Sequence, residues 1–265
     1  MPVRDIFGKF LMDSRRGILG WMIGVGAVTA LYSSFWPSME ASGEAMRAFM
    51  EQMPRLAESM GWSDLSTAEG YLGSTVFGLL TPILVSIAAI AFGTRAVAGE
   101  EEEGALELVL SHPVSRYRVI LQRFAALAVF VALLGATIWV VLVALGPALD
   151  LGIPVGRLAA AALATALIGF CYGALALAIG AITGRRAYAI GGAAVLAVVG
   201  YLGNTFALQQ EELEWMRFLS PFYYALDPEP LINGIDAGYT AVLVAIPLAL
   251  AALGTARFAR RDVLV

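Results

Sequence analysis

Side chains able to do chemistry are few in this sequence. There is one histidine, His112, one cysteine, Cys171, and one lysine, Lys9. A lone histidine excludes any chemistry that needs a His pair or a His–Cys set. A lone cysteine excludes an intrachain disulfide and a thiol-built metal or redox site. A phosphate-binding loop reads GxxxxGK[ST], and Phe10 follows Lys9, so ATP cannot be held that way. What remains is charge in an unusual place: Glu100, Glu101, Glu102 and Glu103 run consecutively between two apolar stretches, with Arg116, Arg118 and Arg123 close behind.

The elements that carry this run are those of a membrane protein. The 265 residues are 59% hydrophobic and 14% charged, against about 25% charged in soluble domains, and mean hydropathy is +0.77. A span needs about 20 apolar residues, and six segments qualify: 17–36, 73–94, 119–146, 157–183, 187–208 and 238–256. The first has the arginine pair and apolar core of an export signal. It is long enough to span, however, and Phe35-Trp36-Pro37 follows it where a cleavage site would need small residues, so we read it as a retained span. Of the 17 basic residues, all but Arg47, Arg55, Arg157 and Arg217 fall on one side of the resulting topology. The positive-inside rule then places both termini and the glutamate run in the cytoplasm. The expected fold is all-α: a polytopic domain of six transmembrane helices.

No Asp, Glu, Lys, Arg or His lies near the middle of a span. Ion-coupled carriers usually mark their path with such groups, so this is a poor candidate for one. An intramembrane protease needs a nucleophile–base or acid pair within the spans, which is absent too. Ser86, Thr137, Thr165, Tyr172, Tyr188, Tyr201 and Asn204 can either line a path or hydrogen-bond between helices. The pairs Gly20/Gly24, Gly169/Gly173 and Gly180/Gly184 allow close helix packing. Pro82 and Pro247 should kink their spans.

The glutamates join the second span to the third. Leu106, Val109 and Leu110 share one helical face with Glu107 on its flank, and the preceding acids suit the first turn of that helix. Pro113 ends it and can start another. This predicts a short amphipathic helix between two elbows. Four acids disfavour an anionic lipid surface and suit a protein partner. The segment VRDIFGKFLMDSRRG reads as a second such element, an interfacial helix over 1–16 that leads into the first span.

The stretch Glu103-Gly104-Ala105-Leu106-Glu107-Leu108-Val109-Leu110-Ser111-His112-Pro113-Val114-Ser115-Arg116 resembles the first-loop signature of permease subunits of type-2 ABC exporters, E-x-G-T-L-E-x-L-L-x-x-P-V-S-R, with Ala105 in place of the usual Thr. The six-span layout, the N-terminal interfacial helix and Leu219-Ser220-Pro221-Phe222 are similar as well. The resemblance implies that loop 95–118 is a coupling helix docking on a separate ATPase. Its contact residues would be Glu100, Glu101, Glu102, Glu103, Gly104, Leu106, Glu107, Val109, Leu110, Pro113 and Arg116. Two cytoplasmic ABC ATPase subunits would bind the ATP and Mg, and none would bind to this chain. A second permease, identical or related, would complete the path; membrane lipid is the remaining partner, and no nucleic acid is expected. Ser86, Thr137, Tyr172, Tyr201, Asn204 and Phe222 are the candidate path or gate residues. A non-transporting membrane adaptor for the same ATPase is the alternative.

Two external segments exceed what connection needs. In 37–72, Met46, Phe49, Met50 and Met53 recur at helical spacing, which fits an apolar lid or packing on the membrane surface. In 209–237, Glu211, Glu212 and Glu214 sit beside Trp215, Phe218, Phe222, Tyr223 and Tyr224, a composition suited to the membrane interface and, by the resemblance, to an outer gate. A path without formal charge fits a hydrophobic small molecule, drug or lipid.

Overall fold

The computed structural model describes residues 6–42, 67–106, 115–207 and 211–261. All regular elements among them are helical. Six helices are long and apolar enough to cross a membrane, as the sequence leads one to expect. We number them with the short helices in chain order: α1 Ile6–Ser33, α2 Trp36–Glu40, α3 Ala68–Glu102, α4 Arg116–Leu145, α5 Val155–Thr183, α6 Arg186–Ala207, α7 Pro221–Leu226, α8 Pro230–Asn233 and α9 Ala237–Arg260. A 3-10 stretch, Glu211–Leu219, precedes α7. The methionine stripe of segment 37–72 lies outside the described residues.

The expected interfacial segment is not separated from the first span. Helix α1 runs unbroken through Ser14–Gly17, because nothing there but one glycine opposes helix, and that costs only about 1 kcal/mol. At 1.5 Å per residue α1 is about 42 Å long, more than the hydrocarbon core of about 30 Å needs.

Helix α3 is widened where its sequence demands it. Pro82 has no N–H to offer the preceding turn, and Leu72–Leu80 adopt π-helical bonding. The Val76 carbonyl accepts both the Thr81 N–H and, at 2.8 Å, the Thr81 hydroxyl. A second π-helical stretch, Arg95–Gly99, lies immediately before the glutamates.

Helix α5 is the centre of the bundle, and small residues let it be. A Cβ at Gly169 would meet Val85 Cγ1 at 2.5 Å, and one at Gly173 would meet Ala89 and Leu127 at 3.0 and 2.9 Å. A Cβ at Gly93 of α3 would collide with the Gly173 carbonyl oxygen. Helices α3 and α5 therefore touch backbone to backbone, the contact available where lipid supplies no hydrophobic drive. The Gly20/Gly24 pair of α1 has nothing within 4 Å and faces out of the chain. Around this centre Phe92 stacks on Phe130 (4.5 Å) and meets Phe10 edge-on (5.1 Å), which joins α1, α3 and α4.

Candidate coupling and gating site

One end of the bundle collects the start of α1, the ends of α3, α5 and α9, and the starts of α4 and α6. The glutamate run lies there as the last turn of α3 plus one residue, not as the first turn of a loop helix. Gly104, at φ 72°, donates its N–H to the Glu101 carbonyl (3.0 Å) and reverses the chain. A left-handed glycine is an ordinary helix stop, and Gly104 ends the helix here. Acids at a helix C-terminus oppose its dipole, and arginines from neighbouring helices offset them.

The four glutamates share three arginine partners. Glu100 pairs with Arg123 of α4, whose guanidinium also lies 4.1 Å over the Phe10 ring of α1. Glu101 pairs with Arg261, which follows α9. The carbonyl of Arg261 accepts from Arg116 Nη1. Glu102 Oε1 accepts the Arg186 N–H at 2.8 Å, and Glu103 Oε1 lies 3.6 Å from Arg186 Nη1. Gly184 ends α5 at φ 68°, and a Cβ there would strike both Glu101 and Arg261. This pair thus rests on the end of the central helix.

The residues expected to meet an ATPase divide into two sets. Glu101 (7% exposed) and Leu106 (0%) are turned into the chain, and Leu106 belongs to its apolar core. Glu100 is half-buried, and Arg116 is taken up in part by α9. Glu102, Glu103 and Gly104 are exposed. Glu107, Val109, Leu110 and Pro113 lie outside the described residues. On the far side Ser115 caps α4, its hydroxyl accepting from Arg118 N at 3.3 Å.

Three of the candidate path residues meet deeper in the bundle. Phe222 of α7 contacts Tyr172 of α5 (5.6 Å between rings) and Tyr201 of α6 (5.3 Å), and is 1% exposed. Tyr201 lies six residues before the end of α6, about 9 Å, so Ser220–Phe222 tuck inward of that helix end while Trp215, Phe218 and Leu219 stay exposed. Irregular backbone at that depth requires protein around it. Ser220 supplies part of that: its hydroxyl donates to the Gly200 carbonyl at 2.8 Å and accepts from Phe222 N at 3.2 Å. A Cβ on Gly200 would lie 2.5 Å from the Tyr172 hydroxyl. Gly200 was missed in the sequence because its role depends on what the re-entrant segment brings to it.

Asn204 lies one turn beyond Tyr201, with Oδ1 buried and unbonded among the described residues. Ser86 is buried on α3, likewise without a described partner. Thr137 is elsewhere: its hydroxyl donates to the Leu133 carbonyl (2.8 Å), and its methyl faces Gly26 of α1. Thr137 is a helix-packing residue in this arrangement, as is Thr165, bonded to Ala161 O at 3.0 Å.

The re-entrant segment is fastened nearer the surface by a second polar group. Arg217 Nη2 contacts Asp227 Oδ1 at 2.6 Å and its guanidinium lies over Tyr223 at 4.8 Å. The Tyr239 hydroxyl donates to Asp227 Oδ2 at 3.2 Å and is 3.1 Å from that of Tyr223. Both ends of the bundle are thus tied by charge, while the layer between is apolar.

A membrane protein of this build has six spanning helices, a charged loop base at one end and a re-entrant aromatic plug from the other. No curated protein matches the chain. The profile described as ABC-2 family transporter protein matches residues 6–263, and the chain belongs to that family of membrane transport components.

Proposed function

We propose that this chain is the permease subunit of an ATP-driven exporter, forming half of the substrate path and coupled to a separate ABC ATPase through residues 100–116. One observation carries this reading. In a chain of this family, a loop with the exporter-type signature is mounted on the ends of four spans through the pairs of Glu100, Glu101, Glu102 and Glu103. A loop mounted that way can deliver a push to the bundle. Glu102, Glu103 and Gly104, with Glu107, Val109, Leu110 and Pro113, form the docking face; Glu100, Glu101, Leu106 and Arg116 anchor it.

The arginine-rich end is cytoplasmic, both termini with it, and the chain sits in the cell membrane. Two ATPase copies hold the ATP and Mg, and a second permease, identical or related, completes the path. Tyr172, Tyr201 and Phe222 close that path from outside. The apolar layer between the two charged ends suits a hydrophobic small molecule, drug or lipid.

The test is co-purification from cells expressing this chain with ABC ATPases of the same genome. Wild type should bring down an ATPase, and Glu103→Ala with Leu110→Asp should lose it while the permease keeps its yield and thermal stability. Equal retention by the variant would remove the loop from the docking role. Retention together with no vesicle accumulation of any apolar probe would favour the adaptor.

A further inference from the structure

The spans are held unequally. In α5, 72% of the most apolar stretch is buried inside the chain, against 17% in α6 and 22% in α9. Those two helices are the least enclosed by the rest of the chain, and each has at one end an arginine that touches the glutamate run: Arg186 opens α6 and Arg261 follows α9. Successive residues of a helix point about 100° apart, so consecutive acids at the end of α3 fan out toward different neighbours. Glu100 takes the fixed one, since Arg123 is 3% exposed and wedged on Phe10. Glu101 reaches α9, and Glu102 with Glu103 reaches α6.

We propose that Arg261 and Arg186 are positioning residues that pass a displacement of the loop base to α9 and α6, span by span, while Glu100–Arg123 holds α3 to α4 as the static reference. This deepens the docking reading above and rests on it. The route runs along the end of α5, on which α9 packs through Gly254 and Ala178. The Glu101–Arg261 pair abuts Gly184, where the absence of a side chain leaves the pair room against the end of that helix. Arg261 is held twice, by its guanidinium and by its carbonyl through Arg116, so α9 is tied both to the loop base and to the loop's other end.

The experiment is hydrogen exchange on the full permease–ATPase complex in nanodiscs, with and without ATP and vanadate. Wild type should show an ATP-dependent change at 186–192 and at 255–261. Arg261→Gln should lose the change at 255–261 and keep it at 186–192. The exchanged pair Glu101→Arg with Arg261→Glu should restore it, which a merely structural role would not require. Glu101→Gln gives a second route to the same loss should Arg261→Gln fail to fold. Survival of the α9 response in these variants with ATPase bound, equal loss at both ends, or no response in wild type would overturn the proposal. An ATPase that never binds wild type would overturn the docking reading, and this inference with it.

Discussion

Gly200 has a steric requirement set by the candidate path residues themselves, because the Tyr172 hydroxyl sits 2.5 Å from where its Cβ would be, while Ser220 Oγ is 3.3 Å away. Overpacking of that kind costs about 1–3 kcal/mol. Gly200→Ala should therefore lower the thermal unfolding temperature of the purified permease. Adding Tyr172→Phe, which deletes the offending oxygen, should recover most of the loss. A Gly200→Ala variant as stable as wild type would mean that the re-entrant segment does not press Tyr172 against α6. Residue-scale roles of this kind were only half legible. Tyr172, Tyr201 and Phe222 stand out as polar or aromatic residues in apolar surroundings, but a glycine in a chain with 28 of them carries no mark of its own.

The six spans could be read from length and apolarity alone, since no other element of a membrane chain needs about 20 such residues. Their interruptions could be read only in part. Pro82 predicts a disturbance in α3, and the π-helical turns before it are the form that disturbance takes. The glutamates were read into the wrong helix, because a four-acid run suits a first turn by its dipole and their arginine partners come from helices far along the chain. The glycine pairs look alike in sequence yet differ in the structure: Gly169 and Gly173 bring α5 against α3, where Gly93 meets the Gly173 backbone, while Gly20 and Gly24 have nothing within 4 Å among the described residues. Gly93→Ala should force α3 and α5 apart and sharply reduce the yield of folded permease. Gly24→Ala should leave the stability of the single chain within about 0.5 kcal/mol of wild type, the usual range for substitutions away from packed features. Equal effects of the two, read by size-exclusion profile and thermal unfolding, would contradict the placement of α5 at the centre.

At the scale of the whole molecule, charge among the described residues is confined to the two ends. At one, four glutamates reach α4, α6 and α9 through arginines; at the other, Arg217, Asp227 and Tyr239 hold the re-entrant segment. The positive-inside pattern made this polarity visible from sequence. The pairings depend on which helix ends become neighbours, which spacing along the chain does not specify. The central claim is that the glutamate end receives the ATPase. Its most direct test is photo-cross-linking in cells, with benzoylphenylalanine placed at Glu103, a side chain 62% exposed, or at Trp215, 58% exposed on the re-entrant segment. A cross-link to an ABC ATPase from position 103 and none from position 215 is the predicted result; a cross-link from 215, or from neither, would contradict it.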